Sequence, residues 1–458
     1  MEYEIFVTTG LGDNSYLVWS GDQAMLVDPQ RDVWRFLEAA RQRGLSIRWV
    51  IETHVHNDYI SGAGAVQEAT GADIGAPASG GYAFAHRGLR EGDAIRIGDL
   101  NVVALETPGH TPEHLAYLVH EGDAPVALFT GGSLMVGSAG RTDLLGVEKT
   151  PQLTRAQFHS LRRFAEFEDD VLVLPTHGAG SFCAATAPST QRTSTLGDER
   201  ALNSALRAPD EDQFVGQQLR GLLAFPTYYR YMAPINRAGP PVLASCPTLT
   251  QLGPAELDRL VRNGASIVDA RGRLDFANAH IPGALNVELD DTFASYVGWT
   301  IPFGSAIALV LPDESDSTKV KAVTQLLRVG YDRVAGYLNG GIDAWQSHGH
   351  PVANYPVVGI DDLYRAYRTG QPMTILDVRQ QHEWDQGHIP EKSVHIFVGD
   401  LATRLGELSK DTELWTVCAT GHRASTAASL LDRAGLRVRL VARGGVPDWA
   451  TQCSPQAT

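Results

Sequence analysis

The sequence has few cysteines, fewer basic than acidic residues, and no long apolar run. Only 4 of its 458 residues are cysteine, and their wide separation argues against a disulfide framework and for free thiols. The lack of a long apolar run and of a secretory signal pattern predicts a cytoplasmic protein that does not span a membrane. With 53 acidic against 38 basic residues and a formal charge of -15, the chain would repel nucleic acid and anionic membranes. Small molecules are therefore the expected partners.

The length exceeds what a single hydrophobic core usually organises, so several domains are expected. Hydrophobic residues make up 43% of the chain and charged residues 20%, which is typical of globular proteins. We predict three domains, at residues 1–242, 243–353 and 354–458. Short β-runs with helical patterns between them predict an α/β multidomain protein. A segment rich in tyrosine and proline, residues 198–242, is interpreted as a bridge that ends the first domain.

The last two predicted domains carry the same pattern twice. One copy contains Asp269-Ala270-Arg271 and then His280-Ile281-Pro282, and the other contains Asp377-Val378-Arg379 and then His388-Ile389-Pro390. Each copy also ends in a Gly-Gly pair followed by a tryptophan. Paired signals at this spacing indicate a duplicated domain.

The second copy places a cysteine between a predicted strand, Leu414–Val417, and a predicted helix, Ala424–Ala434. The loop reads Cys418-Ala419-Thr420-Gly421-His422-Arg423. Backbone N–H groups in such a loop and the start of the next helix stabilise an anion, so Cys418 is expected to react as a thiolate, aided by Arg423 and His422. A buried structural cysteine is the alternative, but it would leave Gly421 and Arg423 without a packing reason. We predict catalytic roles for Cys418, Gly421, His422 and Arg423, and substrate contacts at Ala419 and Thr420.

These motifs resemble the rhodanese (thiosulfate sulfurtransferase) family, whose active loop has the form Cys-x-x-Gly-x-Arg. The Asp-x-Arg and His-Ile-Pro elements match as well, although Glu391-Lys392 replaces the Gly-Ala that follows in the family. The short loop favours sulfur transfer over dephosphorylation. The resemblance implies that Cys418 takes sulfur from thiosulfate or a persulfide and passes it to a thiol such as glutathione.

The first copy lacks the reactive loop. At the corresponding place it reads Leu311-Pro312-Asp313-Glu314-Ser315-Asp316, with neither thiol nor arginine. Its acidic residues would also repel an anion. We expect this domain to be inactive and kept for packing or partner contact, which is compatible with a homo-oligomer.

Histidines follow three predicted strands of the first domain. They are His54 and His56, with Asp58 two residues further on, then His110, and then His177. Histidines and a carboxylate at neighbouring strand ends can converge on one metal ion. We therefore predict a metal site whose ligands come from these five residues.

This set resembles the metallo-β-lactamase superfamily, with its His-x-His-x-Asp-His motif, and more narrowly its persulfide dioxygenase branch fused to two rhodanese domains. The resemblance implies an αββα fold followed by two rhodanese-like α/β domains with parallel sheets. It also implies one Fe(II) per chain that uses O2 to oxidise glutathione persulfide to sulfite, with His54 and His110 as iron ligands. Two residues depart from the pattern: Tyr59 replaces the last histidine of the motif, and Gly132 stands where an aspartate ligand is expected.

The loss of that aspartate leaves three outcomes open. The remaining residues hold a metal in another geometry, water fills the missing position, or the site holds no metal. The alternatives to an iron dioxygenase are a sulfurtransferase with a metal-free N-terminal scaffold and a zinc thioester hydrolase of the glyoxalase II type. Cys183, six residues after His177, either faces the same cleft and accepts sulfur or is a packed thiol.

Overall fold

The computed structural model describes residues 1–186, 188–220, 222–390 and 393–453. It divides into two compact units, one of Met1–Cys246 with Leu327–Gly330, the other of Pro247–Leu326 with Tyr331–Thr458. Glu391-Lys392, the departure from the rhodanese pattern, lies outside the described residues. Among the residues that are described, no helix is both long enough and apolar enough to cross a bilayer.

The first unit is built on two six-stranded sheets. Its strands are β1 (Glu2–Thr8), β2 (Asp13–Ser20), β3 (Gln23–Val27), β4 (Ser46–Ile51), β5 (Asp73–Pro77), β6 (Arg87–Leu89), β7 (Ala94–Ile97), β8 (Leu100–Glu106), β9 (Leu115–Glu121), β10 (Ala124–Gly131), β11 (Leu134–Met135), β12 (Ser138–Ala139), β13 (Leu172–Pro175) and β14 (Ser194–Thr195). One sheet has the order β1-β2-β3-β4-β5-β6 and the other β14-β13-β10-β9-β8-β7, while β11 and β12 form a separate pair.

Helices pack on the outer faces of both sheets. They are α1 (Trp34–Arg43), α2 (Ala63–Thr70), α3 (Thr150–Arg163), α4 (Leu196–Leu202), α5 (Glu211–Arg220) and α6 (Tyr229–Ala238). One apolar core, with Tyr16 and Phe129, lies between the sheets. Alternate residues such as Leu17 and Leu118 point outward into separate cores shared with the helices, because successive side chains of a strand face opposite sides. This layering confirms the predicted αββα fold.

The segment interpreted as a bridge forms part of the first unit. Phe214 of α5 is fully buried in the core under α3. In α6, the buried Asn236 side chain donates to the carbonyl oxygens of His56 and Tyr59 at 2.9 and 2.8 Å. The sequence did not predict α6 because Pro234 lies inside it, and an internal proline normally ends a helix.

The second unit contains two parallel five-stranded sheets. The strands are β15 (Gln251–Leu252), β16 (Ser266–Asp269), β17 (Leu285–Asn286), β18 (Ile307–Val310), β19 (Val334–Leu338), β20 (Val357–Gly359), β21 (Thr374–Asp377), β22 (Ser393–His395), β23 (Leu414–Val417) and β24 (Val438–Arg443). The orders are β15-β19-β18-β16-β17 and β20-β24-β23-β21-β22. They match position by position, as expected for a duplicated domain.

Helices connect the strands of both sheets. They are α7 (Pro254–Arg262), α8 (Arg273–Asn278), α9 (Phe293–Thr300), α10 (Asp316–Arg328), α11 (Gly341–Ser347), α12 (Ile360–Arg368), α13 (Gln381–Gln386), α14 (Val398–Arg404), α15 (His422–Arg433) and α16 (Val446–Cys453). The helix after the cysteine loop begins two residues earlier than predicted, because Gly421 adopts a left-handed conformation with φ of 91° and ends the loop there. His422 and Arg423 therefore belong to the first turn of α15.

Candidate functional site

Histidines from several strand ends meet inside the first unit. His54 and His56 follow β4, His110 follows β8 and His177 follows β13. All four are buried. The ring centroid of His54 lies 4.2 Å from that of His56, 4.9 Å from that of His110 and 5.3 Å from that of His177. The structure thus brings the predicted histidines together.

The Nδ1 atom of His54 is fixed by a hydroxyl group. Thr53 Oγ1 donates its own hydrogen to Asp28 at 2.7 Å and lies 2.8 Å from His54 Nδ1. The hydroxyl oxygen can therefore only accept from the ring, so Nδ1 carries the proton and Nε2 presents a lone pair. Burial, followed by repulsion from His56, also lowers the pKa of His54 well below its ordinary value, so the ring is neutral.

His110 and His177 are fixed in the same way. Nδ1 of His110 lies 2.7 Å from the Arg141 carbonyl oxygen, and Nδ1 of His177 lies 2.8 Å from Asp13 Oδ1. The Arg141 carbonyl can only accept, so Nδ1 of His110 carries the proton and its Nε2 has a free lone pair. The ionised form of Asp13 holds the proton of His177 on Nδ1 in the same way. Burial lowers the pKa of both rings. Histidine ligands of metals are commonly oriented in this manner.

The free Nε2 atoms of these three rings converge. Those of His54 and His177 lie 3.3 Å apart, although both are hydrogen-bond acceptors. Nε2 of His110 is buried without a hydrogen-bond partner in the described structure. Ligand atoms of His54, His110 and His177 all lie within 4.8 Å of one another. Three facing lone pairs without a proton between them fit one cation that accepts imidazole ligands, such as iron or zinc.

His56 has a different environment. Its Nε2 lies 3.3 Å from Asp28 Oδ1, 3.1 Å from Glu52 Oε2 and 3.0 Å from the Tyr59 hydroxyl. Burial disfavours the charged ring, but the carboxylates of Asp28 and Glu52 outweigh it and raise the pKa of His56 well above its ordinary value. A protonated ring held by two carboxylates is a poorer metal ligand than the other three histidines.

Two buried carboxylates lie beside His177. Asp58 contacts the side chain of Asp13, and its Oδ2 lies 3.3 Å from His177 Nδ1. Burial and the charge of Asp13 raise the pKa of Asp58 to about 7, and burial raises the pKa of Asp13 to about 7. Two negative charges buried side by side are costly, so Asp13 and Asp58 favour a shared proton or a positive charge nearby.

Gly132 directly follows β10, at a position where the surrounding residues leave no room for the side chain of the expected aspartate. A Cβ atom on Gly132 would lie 2.2 Å from Cδ2 of His110, so the His110 ring occupies the space of that side chain. The backbone N–H of Gly132 donates to Nε2 of His114 at 3.0 Å. Burial lowers the pKa of His114 to about 3, which keeps the ring neutral and able to accept.

Sequence reasoning missed His114, Asp13, Asp28 and Glu52. His114 stands four residues after His110, which is the only local signal for it. Asp28 follows β3 with a φ of 49°, an unusual conformation for aspartate. The other two become part of the site only through contacts that the fold creates.

A cavity of about 320 Å³ reaches His54 and His56. Apolar residues such as Val55, Ile74 and Phe84 form much of its wall, and Glu52 is among the polar lining residues. Cys183 is not among the lining residues and is fully buried. Burial also raises the pKa of its thiol well above the ordinary value, so of the two interpretations the structure favours a packed thiol.

The Cys418 loop of the second unit forms a turn that directs a backbone N–H at the thiol. The backbone N–H of Gly421 donates to Cys418 Sγ at 3.1 Å, and α15 begins at the next residue. The carbonyl oxygen of Cys418 accepts from the Val446 N–H at 2.9 Å. A Cβ on Gly445 would lie 2.3 Å from that carbonyl oxygen, which explains the need for glycine there.

The two basic residues of the loop are paired with carboxylates. Arg423 donates to both carboxylate oxygens of Glu383, with Nη2 at 2.8 Å. Nε2 of His422 lies 3.2 Å from Asp290 Oδ2. Neither group is hydrogen-bonded to the sulfur, so their influence on Cys418 acts through the local field and through the shape of the loop.

The Asp-x-Arg motif is structural in both copies. Nη2 of Arg271 donates to Asp269 at 2.6 Å, and Nη2 of Arg379 donates to Asp377 at 2.7 Å. Each arginine also donates to a backbone carbonyl eight residues along the chain. These buried hydrogen bonds hold the chain after the corresponding strand in each copy, whether or not the copy has a reactive loop.

Two family models match the chain. The metallo-β-lactamase superfamily matches residues 8–177, and the rhodanese-like domain matches residues 253–348 and 360–452. A hydroxyacylglutathione hydrolase from Cereibacter sphaeroides is 35% identical over 187 residues, which cover 39% of this chain and 67% of that protein.

Two solved structures are also similar. A metallo-β-lactamase from Staphylococcus aureus is 27% identical, with a TM-score of 0.66 and coverage of 74% of this chain and 98% of its own. ETHE1 from Myxococcus xanthus is 29% identical, with a TM-score of 0.45 and coverage of 52% of this chain and 99% of its own. The chain therefore belongs to the metallo-β-lactamase superfamily and carries two rhodanese-like domains after its metallo-β-lactamase domain.

Proposed function

We propose that this protein is a sulfur-metabolism enzyme that transfers sulfur through a persulfide of Cys418 and oxidises glutathione persulfide in its metallo-β-lactamase domain. The transfer activity rests on the contact between the Gly421 N–H and Cys418 Sγ at 3.1 Å, at the start of a helix. Such a donor stabilises both the thiolate and the terminal anion of a persulfide.

The transfer reaction has two displacements. The Cys418 thiolate attacks the outer sulfur of thiosulfate or of a persulfide, the donor S–S bond breaks, and sulfite or a thiolate leaves. The outer sulfur of the Cys418 persulfide is then attacked by an acceptor thiolate such as that of glutathione. This step releases the acceptor persulfide and restores the Cys418 thiolate.

In the metallo-β-lactamase domain, His54, His110 and His177 are the residues that would hold the metal. Fe(II), one per chain, is the ion we expect, and when bound it supplies a redox centre for the oxidation of persulfide sulfur to sulfite by O2. The three rings are held by Thr53, Arg141 and Asp13 through their Nδ1 atoms. The cavity beside His54 offers apolar walls for the organic part of a substrate.

A zinc thioester hydrolase is the second candidate, and the name of the 35% identical relative supports it. The residues of the site support the hydrolase less well than they support the dioxygenase. Tyr59 replaces a histidine that a second metal would require, and its hydroxyl lies 3.0 Å from His56 Nε2. A metal-free scaffold is the third candidate, against which the buried His110 Nε2 and the facing Nε2 atoms of His54 and His177 argue.

Metal analysis of anaerobically purified protein, together with O2 uptake on glutathione persulfide, separates these candidates. About one iron per chain with O2 uptake supports the dioxygenase. About two zinc ions with thioester hydrolysis support the hydrolase, and no bound metal supports the scaffold. His110→Ala should abolish O2 uptake, whereas His159→Ala, at a histidine whose side chain is 70% exposed, should leave it unchanged.

For the transferase, Cys418→Ser should reduce sulfur transfer from thiosulfate to a thiol to the uncatalysed rate, because a hydroxyl does not form a persulfide. Cys246→Ser, at a half-buried cysteine outside the Cys418 loop, is the matched control. Full activity of the Cys418→Ser variant would disprove the assignment.

A further inference from the structure

The peptide unit between Thr420 and Gly421 lies between Cys418 and an arginine of the first rhodanese copy. On one side, the Gly421 N–H donates to Cys418 Sγ at 3.1 Å. On the other side, the Thr420 carbonyl oxygen accepts from Nη1 of Arg273 at 2.6 Å. Because the C=O and N–H of a trans peptide unit point in opposite directions, holding the carbonyl toward Arg273 aims the N–H at the sulfur.

Arg273, the first residue of α8, is itself held in place. Its Nε and Nη2 donate to the two carboxylate oxygens of Glu288 at 3.0 and 2.7 Å, and its backbone N–H donates to the same side chain at 2.7 Å. Because the guanidinium is planar, these two hydrogen bonds to one carboxylate fix the orientation of the whole group. Nη1 of the same group is therefore presented to the loop in a fixed position.

The loop requires glycine at position 421 because of its backbone conformation and its neighbours. The φ of 91° is one that glycine adopts readily, and a Cβ there would lie 2.8 Å from the Ala442 Cα and 2.9 Å from Arg273 Nη1. Glycine, however, also tolerates other orientations of the preceding peptide. Gly421 alone therefore does not determine where its N–H points, and an external contact is needed.

The first copy also holds the start of α15. Ser425 donates to the Asn286 side chain at 2.6 Å, and the Asn286 N–H donates to Ser429 Oγ at 3.0 Å. Asp290, which lies 3.2 Å from His422, accepts from Thr292 at 2.7 Å. The inactive copy thus contacts both the loop and the helix that follows it.

We propose that Arg273 of the inactive copy is a positioning residue for sulfur transfer, which acts through the Thr420–Gly421 peptide on the sulfur of Cys418. The inference rests on the proposed transferase function. A cationic donor on the carbonyl both orients the peptide and polarises its N–H, which strengthens the hydrogen bond to the thiolate and to the persulfide. The first copy has lost its own nucleophile but keeps a role in the site of the second.

The test compares Arg273→Met, which removes the donor, with Arg273→Lys, which keeps a charge of similar reach. Asp432→Asn is the matched control, because it removes the charge from another polar contact between the copies, 3.2 Å from His280, without touching the loop. The first readout is the rate of alkylation of Cys418 by iodoacetamide against pH, with the modified peptide identified by mass spectrometry. The second is kcat for transfer from thiosulfate to glutathione.

Arg273→Met leaves the other titratable groups around the loop in place, namely His422, Arg423, Glu383, Glu288, Asp290 and Tyr296. Glu288 loses its arginine partner in this variant, and its carboxylate then acts on the thiolate in the same direction. We expect the midpoint of the alkylation profile to move to higher pH and kcat to fall about tenfold, the loss expected for one charge-assisted hydrogen bond. Arg273→Lys should restore part of both effects, and Asp432→Asn should change neither.

An unchanged alkylation profile in Arg273→Met would overturn the proposal, as would equal losses of kcat in Arg273→Met and Asp432→Asn. If Arg273→Met does not fold, Arg273→Gln, which keeps a polar side chain but removes the charge from the Thr420 carbonyl, should move the profile in the same direction, and an unmoved profile in that variant would also overturn the proposal. Alkylation needs no turnover. A wild-type protein without transferase activity would therefore refute the proposed function while leaving the effect of Arg273 on Cys418 measurable.

Discussion

Gly132 changes which residues can serve as metal ligands. The Cβ position of an aspartate there is taken by the His110 ring, 2.2 Å away, while His177 presents a free Nε2 at 3.3 Å from that of His54. Three neutral imidazoles bring no negative charge to a divalent cation. The buried carboxylates of Asp13 and Asp58 are the groups placed to compensate it, since both lie within 3.3 Å of His177 Nδ1.

Gly132→Asp should therefore weaken metal binding, although it restores the residue of the family pattern. The new side chain would displace His110, and we expect a loss of about 10- to 100-fold in affinity, the range for disturbing the orientation of a ligand. Metal content after dialysis at graded free metal concentrations measures the effect. Gly132→Ala, which adds only the Cβ, should lose affinity in the same direction. A gain in affinity on Gly132→Asp would show that His110 moves aside at little cost.

Asp13→Asn tests the residue behind His177. An asparagine oxygen can still accept from Nδ1 of His177, 2.8 Å away, but the charge is lost and the amide can turn its N–H₂ group toward the ring. We expect metal affinity to fall about 10- to 100-fold, measured by competition with a chelator. The exposed Asp22→Asn is the control. Unchanged affinity in Asp13→Asn would mean that the orientation of His177 does not depend on this carboxylate.

At the scale of elements, the start of α15 is held by an ion pair to α13. Burial opposes the charge of Glu383, but its bonds to Arg423 prevail and hold its pKa below the ordinary 4.5. A carboxyl group whose pKa is lowered by folding stabilises the native state fully above its unfolded pKa, and this contribution is lost as the pH falls through the folded pKa.

Glu383→Gln should accordingly destabilise the protein at pH 7 by about 1 kcal/mol, as expected for one partly buried ion pair. The difference from the wild type should shrink as the pH falls below 4.5. Thermal unfolding at a series of pH values measures it, with Glu407→Gln of an exposed pair to Arg404 as the control. A difference that is the same at all pH values would show that the charge of Glu383 contributes nothing.

Local patterns predicted the fold class and the strands that precede the site residues, but they did not predict elements or contacts that depend on distant parts of the chain. The strand before Cys418 and the strand before His54 could be predicted because their apolar runs are short and bounded by polar residues. The α6 helix could not be predicted, because Pro234 within it is a residue that normally ends a helix. The hydrogen bond from Asn236 to the His56 carbonyl oxygen, which places the helix at the site, has no local signature. The same holds for Arg273, whose contact with Thr420 spans 147 positions and has no local signature.

At the scale of the whole molecule, the two proposed activities are chemically consecutive. Transfer of sulfur from thiosulfate to glutathione yields sulfite and glutathione persulfide. Oxidation of that persulfide with O2 and water yields a second sulfite and returns glutathione. A chain with both activities would therefore consume O2 when given thiosulfate and catalytic glutathione, without added persulfide.

Cys418→Ser should abolish O2 uptake from thiosulfate and glutathione but leave uptake from added glutathione persulfide intact, because only the first route needs a sulfur carrier. His110→Ala should abolish both, while sulfite release from thiosulfate in the transfer step continues until the glutathione has been converted into its persulfide. An oxygen electrode with parallel sulfite determination separates these results. If Cys418→Ser still consumed O2 from thiosulfate and glutathione, sulfur would reach the metallo-β-lactamase domain by a route that does not use this cysteine.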